Sequence, residues 1–468
     1  MAQAISWIAT LYVARILTPA DYGLVAMALV PIGFARLVED LGLDTILLQD
    51  RTLDHEQIAS LAGVVLCLGV ILTLVFMLLA RPLARYFHEP VVALLIMALS
   101  LTFISDALQV VPRALLQRDL EFRTLAWLHG LQVALAALVV VASAKLSMGY
   151  WALVLNSLVS NTVITIALCI IRPFRLTWPR HLPRIAAPLL SGWRMMVSRA
   201  AYYGYTSLDS VVIGRALGKE ALGVFGFAMT FASLPLTEVS SVVSKVVPGI
   251  FSAVQDSSTN LRRYFLLLTE ALSYITLPMS VGLLLTADDF ILLVLGPQWE
   301  AVVLPLRVLS VYMAVNSAQM LLSHVLLWTG WFRANMWLNI LTVVALPVCF
   351  YVGVHWGVAG VAWAWTIGFP LTTIPALLLV NRIIGMRVSD YFAALRAATL
   401  ACLAMCVCVL LARHSLPTDL AHAPRLAVQV ATGVAAYSAA LLGGFHRRVS
   451  VVAKLIRESR HGTAADAA

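Results

Sequence analysis

Long apolar runs separated by short polar breaks dominate the chain, each rich in Leu, Ala and Val and free of period-two alternation. About 20 apolar residues rising ~1.5 Å each cross the ~30 Å hydrocarbon core as a helix. A barrel strand would instead alternate over roughly ten residues. Qualifying runs lie near 1–17, 23–48, 57–80, 90–112, 124–145, 149–171, 189–214, 221–250, 264–286, 301–328, 334–354, 357–381, 391–412 and 425–445. They predict an all-α integral membrane protein of about fourteen transmembrane helices, since lipid requires every backbone polar group to be satisfied within its own segment.

The breaks between spans repeat. Arg15-Ile-Leu-Thr-Pro-Ala-Asp-Tyr-Gly23 with Ala28 returns 200 residues later as Arg215-Ala-Leu-Gly-Lys-Glu-Ala-Leu-Gly223 with Ala228. Phe122-Arg123 returns at Phe332-Arg333, and Gly149-Tyr-Trp-Ala resembles Gly357-Val-Ala-Gly, at offsets of 210 and 208. The repeat unit is therefore six helices, which predicts one bundle over 1–186, a second over 187–385, two appended helices over 386–446 and a basic cytoplasmic tail over 447–468. Six is even, so both copies have the same orientation. Parallel repeats about an axis along the membrane normal place a pathway at the cleft between bundles, as in alternating-access carriers. Span one is shorter than its repeat partner by about two or three turns, an expectation of further natural sequence before Met1.

Composition adds class and topology. Of 468 residues 61% are hydrophobic and 12% charged, with a mean hydropathy of +0.91. A soluble domain carries about 25% charged residues. The formal charge of +9 comes from single basic residues in short breaks, which fits membrane topology rather than nucleic-acid binding. Arg113, Arg118, Arg123, Arg172, Arg262, Arg333, Arg382, Arg447 and Arg448 share one side, whereas fewer basic residues, among them Arg81, Arg85, Arg215, Lys219 and Arg413, share the other. The richer side is cytoplasmic by the positive-inside rule, which puts both termini inside. Cys67, Cys169, Cys349, Cys402, Cys406 and Cys408 lie inside apolar runs without paired spacing, so neither a disulfide framework nor a zinc site is expected. No cleavable signal peptide opens the chain.

Several motifs stand in a characteristic order: Arg15 to Leu24, Val38-Glu-Asp-Leu-Gly-Leu43, Val111-Pro-Arg-Ala-Leu-Leu-Gln-Arg118 with Phe122, Gly149-Tyr-Trp-Ala-Leu-Val154, Asp209 with Ile213-Gly-Arg215, Pro248 to Ser252, and Leu295-Gly-Pro-Gln-Trp299. Over roughly residues 7–385 the chain resembles the bacterial polysaccharide transporters, lipid-linked oligosaccharide flippases of the multidrug/oligosaccharidyl-lipid/polysaccharide exporter superfamily. The resemblance implies a V-shaped pair of six-helix bundles. The implied cargo is an undecaprenyl-diphosphate-linked oligosaccharide, moved across the bacterial cytoplasmic membrane for O-antigen, capsule or exopolysaccharide assembly. It also implies a polysaccharide polymerase and chain-length machinery as partners, and no cofactor.

Such a cargo joins an anionic diphosphate, a hydrated sugar head and an apolar tail. Ionisable side chains inside a membrane are costly and usually face a cavity or pair with one another. In span two Arg36 precedes Glu39 and Asp40 by three and four residues, on one helix face. In span seven Arg199, Tyr203, Thr206 and Asp209 form a polar stripe with Arg194 before it; in span eight Thr230, Ser233, Thr237, Ser241 and Ser244 form another with Glu238 and Lys245 beside it, and span six contributes Asn161. Arg36, Arg194 and Arg199 are the candidates for the diphosphate, because a guanidinium donates in a planar fork that matches phosphate. The remaining residues, Asp40 included, are candidates for the sugar or the cavity wall. Each has a plainer alternative: an Arg36 neutralised locally by Glu39 and Asp40 in holding helix two to a neighbour, an Arg194 reaching to head groups, and hydroxyl stripes that only pack helices.

A membrane-embedded polymerase would need converging acid, base or nucleophile groups, and no such set, metal spacing or phosphate loop is visible. A drug or cation exporter of the same superfamily would place unpaired acids in its cavity. A peptidoglycan-precursor flippase would share the cationic site.

Overall fold

The computed structural model describes residues 2–40, 54–174, 176–177, 203–204, 206–254, 258–417 and 420–465. Helix accounts for nearly all of them, and no strand occurs among the described residues. The helices are α1 (Ala2–Ala14), α2 (Pro19–Asp40), α3 (His55–Phe87), α4 (Val91–Ser100), α5 (Thr102–Arg118), α6 (Phe122–Lys145), α7 (Trp151–Ile171), α8 (206–216), α9 (Gly218–Val254), α10 (Ser258–Val294), α11 (Val303–Trp328), α12 (Phe332–Gly353), α13 (Gly357–Ile383), α14 (Val388–Ser415) and α15 (His422–Ala465).

Eleven stretches among the described residues are long and apolar enough to cross a membrane, so the protein is a multi-pass membrane protein. The difference from the expected fourteen lies at three places. The stretch Phe332–Ile383 holds both α12 and α13, joined by one 3-10 turn. The first helix has only 13 residues. The predicted seventh span, 189–214, falls largely outside the described residues.

Two compact units divide the chain, Met1–Gly226 and Phe227–Ala468. The repeat boundary expected at 186/187 lies outside the described residues. In the first unit α1 packs on α6 and α7 through Val13, Leu17, Ala144 and Ala152, and α3 packs on α5 through Leu61, Val65, Ala107 and Val111. Leu116, Leu128, Ile164 and Leu168 join α5, α6 and α7. In the second unit α10 is central. It meets α11 and α13 through Phe265, Leu322, Val325 and Val380, and faces α14 and α15 through Tyr274 and Val281 against Cys402, Met405 and Tyr437. Outward-facing Leu78, Leu138, Val344 and Leu411 stay exposed, as lipid-facing side chains must where the surrounding solvent is hydrocarbon.

The repeated motifs occupy like places. Phe122 and Phe332 each open a helix, α6 and α12. Gly149, just before α7, and Gly357, the first residue of α13, have φ of 54° and 70°, the left-handed region where a Cβ is penalised. In α15 the helical path breaks at Phe445 (φ −133°, ψ 23°), the last residue of the predicted final span, and the basic tail continues as helix beyond it.

Candidate functional site

The clearest concentration of membrane-embedded polar chemistry lies inside the first unit, among α2, α5, α6 and α7. A cavity of about 550 Å³ is walled by Arg36 of α2, by Asp106, Gln109, Arg113 and Gln117 of α5, by His129 and Gln132 of α6, and by Ser157, Ser160 and Asn161 of α7. Leu125, Leu128, Ile164 and Leu168 complete it. The α5 residues stand at i, i+3, i+7 and i+11, one stripe of a 3.6-residue helix. From Asp106 to Gln117 that stripe runs about 16 Å along the axis at ~1.5 Å per residue.

The polar groups form one directional chain. Arg113 Nη2 donates to Gln109 Oε1 at 3.0 Å. Gln109 Nε2 donates to Asn161 Oδ1 at 2.6 Å and to Thr165 Oγ1 at 2.9 Å. Asn161 Nδ2 donates to Asp106 Oδ1 at 2.7 Å, and Arg36 Nε lies 3.3 Å from Asp106 Oδ2. Arg36 Nη2 also donates to Thr102 Oγ1 at 3.2 Å, whose own hydroxyl donates to the Leu99 carbonyl at 2.7 Å. A guanidinium at each end thus leads to one carboxylate. Both amides are oriented by their partners, as buried polar groups require. Two Arg against one Asp leave the described wall with a net positive charge, beside amides and hydroxyls able to bind sugar. Such a wall offers positive charge to an anion and hydrogen-bonding groups to hydroxyls.

Of the residues picked out from sequence, Arg36 and Asn161 meet in this network. Arg36 pairs with Asp106 on another helix; the side chains of Glu39 and Asp40, its expected partners, lie outside those described. Tyr203 reaches α2, donating to the Val30 carbonyl at 3.2 Å. A Cβ at Gly33 would fall 2.1 Å from the Tyr203 hydroxyl, and Gly33 stands three residues before Arg36. Thr206 donates to the Tyr203 carbonyl at 3.1 Å. Asp209 is buried and accepts the Ser210 N–H at 2.5 Å. Thr237 donates to the Ser233 carbonyl at 2.9 Å, a bond within its own helix. Arg194 and Arg199, and the side chains of Glu238, Ser241 and Lys245, lie outside the described residues.

Asp106, Gln109, Arg113 and Gln117 were not anticipated. Arg113 had been placed among cytoplasmic loop residues, whereas it belongs to α5 and lines the cavity. The spacing of these four residues within an otherwise apolar span is the signal that could have found them.

The profile of a family described as "Polysaccharide biosynthesis protein" matches residues 12–304. The chain belongs to this family. Among curated relatives of this family member, the lipopolysaccharide biosynthesis protein WzxC of Escherichia coli (strain K12) is 25% identical over 399 residues, covering 82% of this chain and 78% of WzxC. The succinoglycan biosynthesis transport protein ExoT of Rhizobium meliloti (strain 1021) is 28% identical over 286 residues, covering 61% of this chain and 58% of ExoT. Among solved structures, the lipid II flippase MurJ in an inward closed conformation has the same fold, with a TM-score of 0.74 over 96% of this chain and 98% of that one at 12% sequence identity.

Proposed function

We propose that this member of the polysaccharide biosynthesis family is a flippase that carries undecaprenyl-diphosphate-linked oligosaccharide units across the bacterial cytoplasmic membrane, for O-antigen, capsule or exopolysaccharide assembly. The observation that carries the reading is the cavity among α2, α5, α6 and α7, where Arg36 and Arg113 face a volume lined by amides and hydroxyls within membrane-crossing helices. Family membership and the transport named for ExoT support it.

The division of labour follows from chemistry. Arg36 and Arg113 hold the diphosphate by charge-assisted hydrogen bonds. Gln109, Gln117, Gln132 and Asn161 exchange hydrogen bonds with sugar hydroxyls. The prenyl chain remains in hydrocarbon, where leaving it costs nothing. Arg194, Arg199 and the polar stripes of spans seven and eight are, by their chemistry, further candidates for contact with the cargo, with both termini on the cytoplasmic side and a polymerase with its chain-length machinery downstream. Alternating access moves the head group between leaflets while no covalent bond changes, so the protein is a transporter and not an enzyme.

The test is leaflet-resolved accessibility of the lipid-linked oligosaccharide in the host, comparing wild type, a deletion strain, and the strain complemented with Arg36→Ala or Arg113→Ala at matched membrane levels. The expected outcome is cytoplasmic accumulation in the deletion strain, uncorrected by either variant. Outward exposure of unpolymerised units in the deletion strain would overturn the flippase reading. Full complementation by both variants would remove the cavity from the pathway.

A further inference from the structure

Asp106 is the one carboxylate on the described cavity wall, and its position raises the question of why an anion-binding cavity keeps an acid. Its Oδ2 faces Arg36 Nε at 3.3 Å, while its Oδ1 accepts from Asn161 Nδ2 at 2.7 Å. Arg36 has its own second hold, the Thr102 hydroxyl. Neither partner depends on the other alone. Both side chains also reach the open volume, at 43% exposure for Arg36 and 29% for Asp106.

We infer that Asp106 is a resident counter-anion, which the phosphate of the cargo displaces from Arg36 on entry and which takes Arg36 back on release. The inference rests on the flippase reading and deepens it by naming the residue that limits how tightly the cavity grips its cargo. A carrier gains nothing from binding that outlasts the conformational change, because a cargo held too tightly is not released. The arrangement suits a swap. When phosphate takes the Nε side of Arg36, Asp106 keeps Asn161, itself oriented by Gln109 and ultimately Arg113, so the displaced carboxylate keeps a hydrogen-bond donor. The guanidinium keeps Thr102 and stays aimed at the cavity. The retained carboxylate then lies close to the bound phosphate, and like charges at this distance repel, which hastens departure. The exchange moves charge partners only; no proton is transferred and no bond is made or broken.

Replacing Asp106 by Asn removes the charge and preserves the acceptor that Asn161 uses. Purified wild-type protein, Asp106→Asn, Asp106→Glu, Arg36→Gln and the double variant Arg36→Gln/Asp106→Asn would be titrated with farnesyl diphosphate as probe. The same variants would be scored for transport in cells at matched levels. The expected result is tighter probe binding by Asp106→Asn, on the order of ten-fold, with slower transport, and near wild-type behaviour for Asp106→Glu. Asp106→Asn should tighten binding less in the Arg36→Gln background than in wild type, because the competition for Arg36 is then gone and only the repulsion is relieved. Asp106→Ser carries the same expectation and replaces the Asn variant should that one not be recovered folded. If wild type binds the probe but Asp106→Asn binds equally or more weakly, the counter-anion role is overturned and the flippase reading stands. If wild type does not bind the diphosphate and Arg36→Ala complements fully, the cavity reading and this inference fall together.

Discussion

Gly23 and Gly223, equivalent positions of the internal repeat, make a prediction that can be worked from distances. A Cβ on Gly23 would lie 1.7 Å from the Lys219 carbonyl oxygen, and one on Gly223 would lie 1.9 Å from the Pro19 carbonyl oxygen. Pro19 and Lys219 are themselves related by the offset of 200, so the two helix starts meet reciprocally, each glycine against the equivalent carbonyl of the other helix. Real Cβ atoms essentially never come within 3.0 Å of such a neighbour, so Gly23→Ala forces the helix starts of α2 and α9 apart by about 1.3 Å and Gly223→Ala by about 1.1 Å. A gap of even 0.5–1 Å forfeits a quarter to a half of the dispersion well of each contact. Overpacking typically costs about 1–3 kcal/mol, and the obstacle here is backbone, which cannot rotate away, so each variant should lose ~3 kcal/mol. Because either substitution opens the same gap, the double variant should cost roughly 2 kcal/mol less than the sum. Unfolding of purified protein in micelles measures all three. Gly130→Ala in α6, with nothing within 4 Å of its added Cβ, is the control and should gain about 0.5–1 kcal/mol from helix propensity. Wild-type stability of either single variant, or strict additivity of the pair, would refute the reasoning.

Three further outcomes follow from particular contacts. Gln109→Leu removes the donor to Asn161 and Thr165 and the anchor of Arg113. It should cost about 2–3 kcal/mol through polar groups left unpaired, read as a lower unfolding temperature, and wild-type stability would show that the chain of amides is not held as described. Trp299→Ala empties a fully buried site packed against Phe227 at 4.3 Å between ring centroids; a loss of about 3–5 kcal/mol should appear in the same unfolding assay. Asp390 accepts the Arg387 backbone N–H at 3.2 Å and a guanidinium hydrogen bond from Arg262 at 2.5 Å. Asp390→Ala should therefore cost about 1–2 kcal/mol and speed amide hydrogen exchange over the first turn of α14, whereas unchanged exchange there would count against its capping role.

Hydropathy and the repeated breaks made the helical architecture legible, because a membrane demands long apolar helices and a duplication keeps its turns. They gave α12 and α13 as two spans, as the structure has them, and read less well where one predicted span, 90–112, is divided into α4 and α5. The site was half legible. Arg36 and Asn161 were visible because an Arg or Asn in an apolar run is conspicuous. The pairings of Asp106 and Arg113 are not legible in the sequence, because their partners Arg36, Asn161 and Gln109 are brought together largely by packing between helices and not by spacing within one. Gln109 carries no charge and does not interrupt the hydropathy of span four, and Gln117 falls beyond that span's expected end. Conversely, the hydroxyl stripe of span eight was conspicuous, yet Ser233 and Thr237 donate to carbonyls one turn back on their own helix. Composition cannot distinguish such a hydroxyl from one aimed at a ligand.

The two units handle their buried charges differently, and the difference separates stability from transport. In the second unit the acids of α10 bridge helices. Asp288 meets Arg307 and Arg413, and Asp289 meets His422 and Gln429. At the other end Glu270 accepts the Tyr274 hydroxyl at 2.6 Å and faces Arg448 at 3.7 Å. Glu270 and Asp288 are about 27 Å apart along α10 at ~1.5 Å per residue, close to the ~30 Å hydrocarbon thickness. Polar contacts near both membrane borders therefore hold the appended helices α14 and α15 to α10, where the charges are near water and cost least. In the first unit Arg36, about one turn before the end of α2, pairs with Asp106 of α5, which also holds Asn161 of α7, so this network too ties helices together, but it lines an open volume. A fold selected only for stability would have no reason to keep two guanidiniums and a carboxylate beside a cavity. A carrier does, because guanidiniums that face the volume can be shared with an anionic cargo.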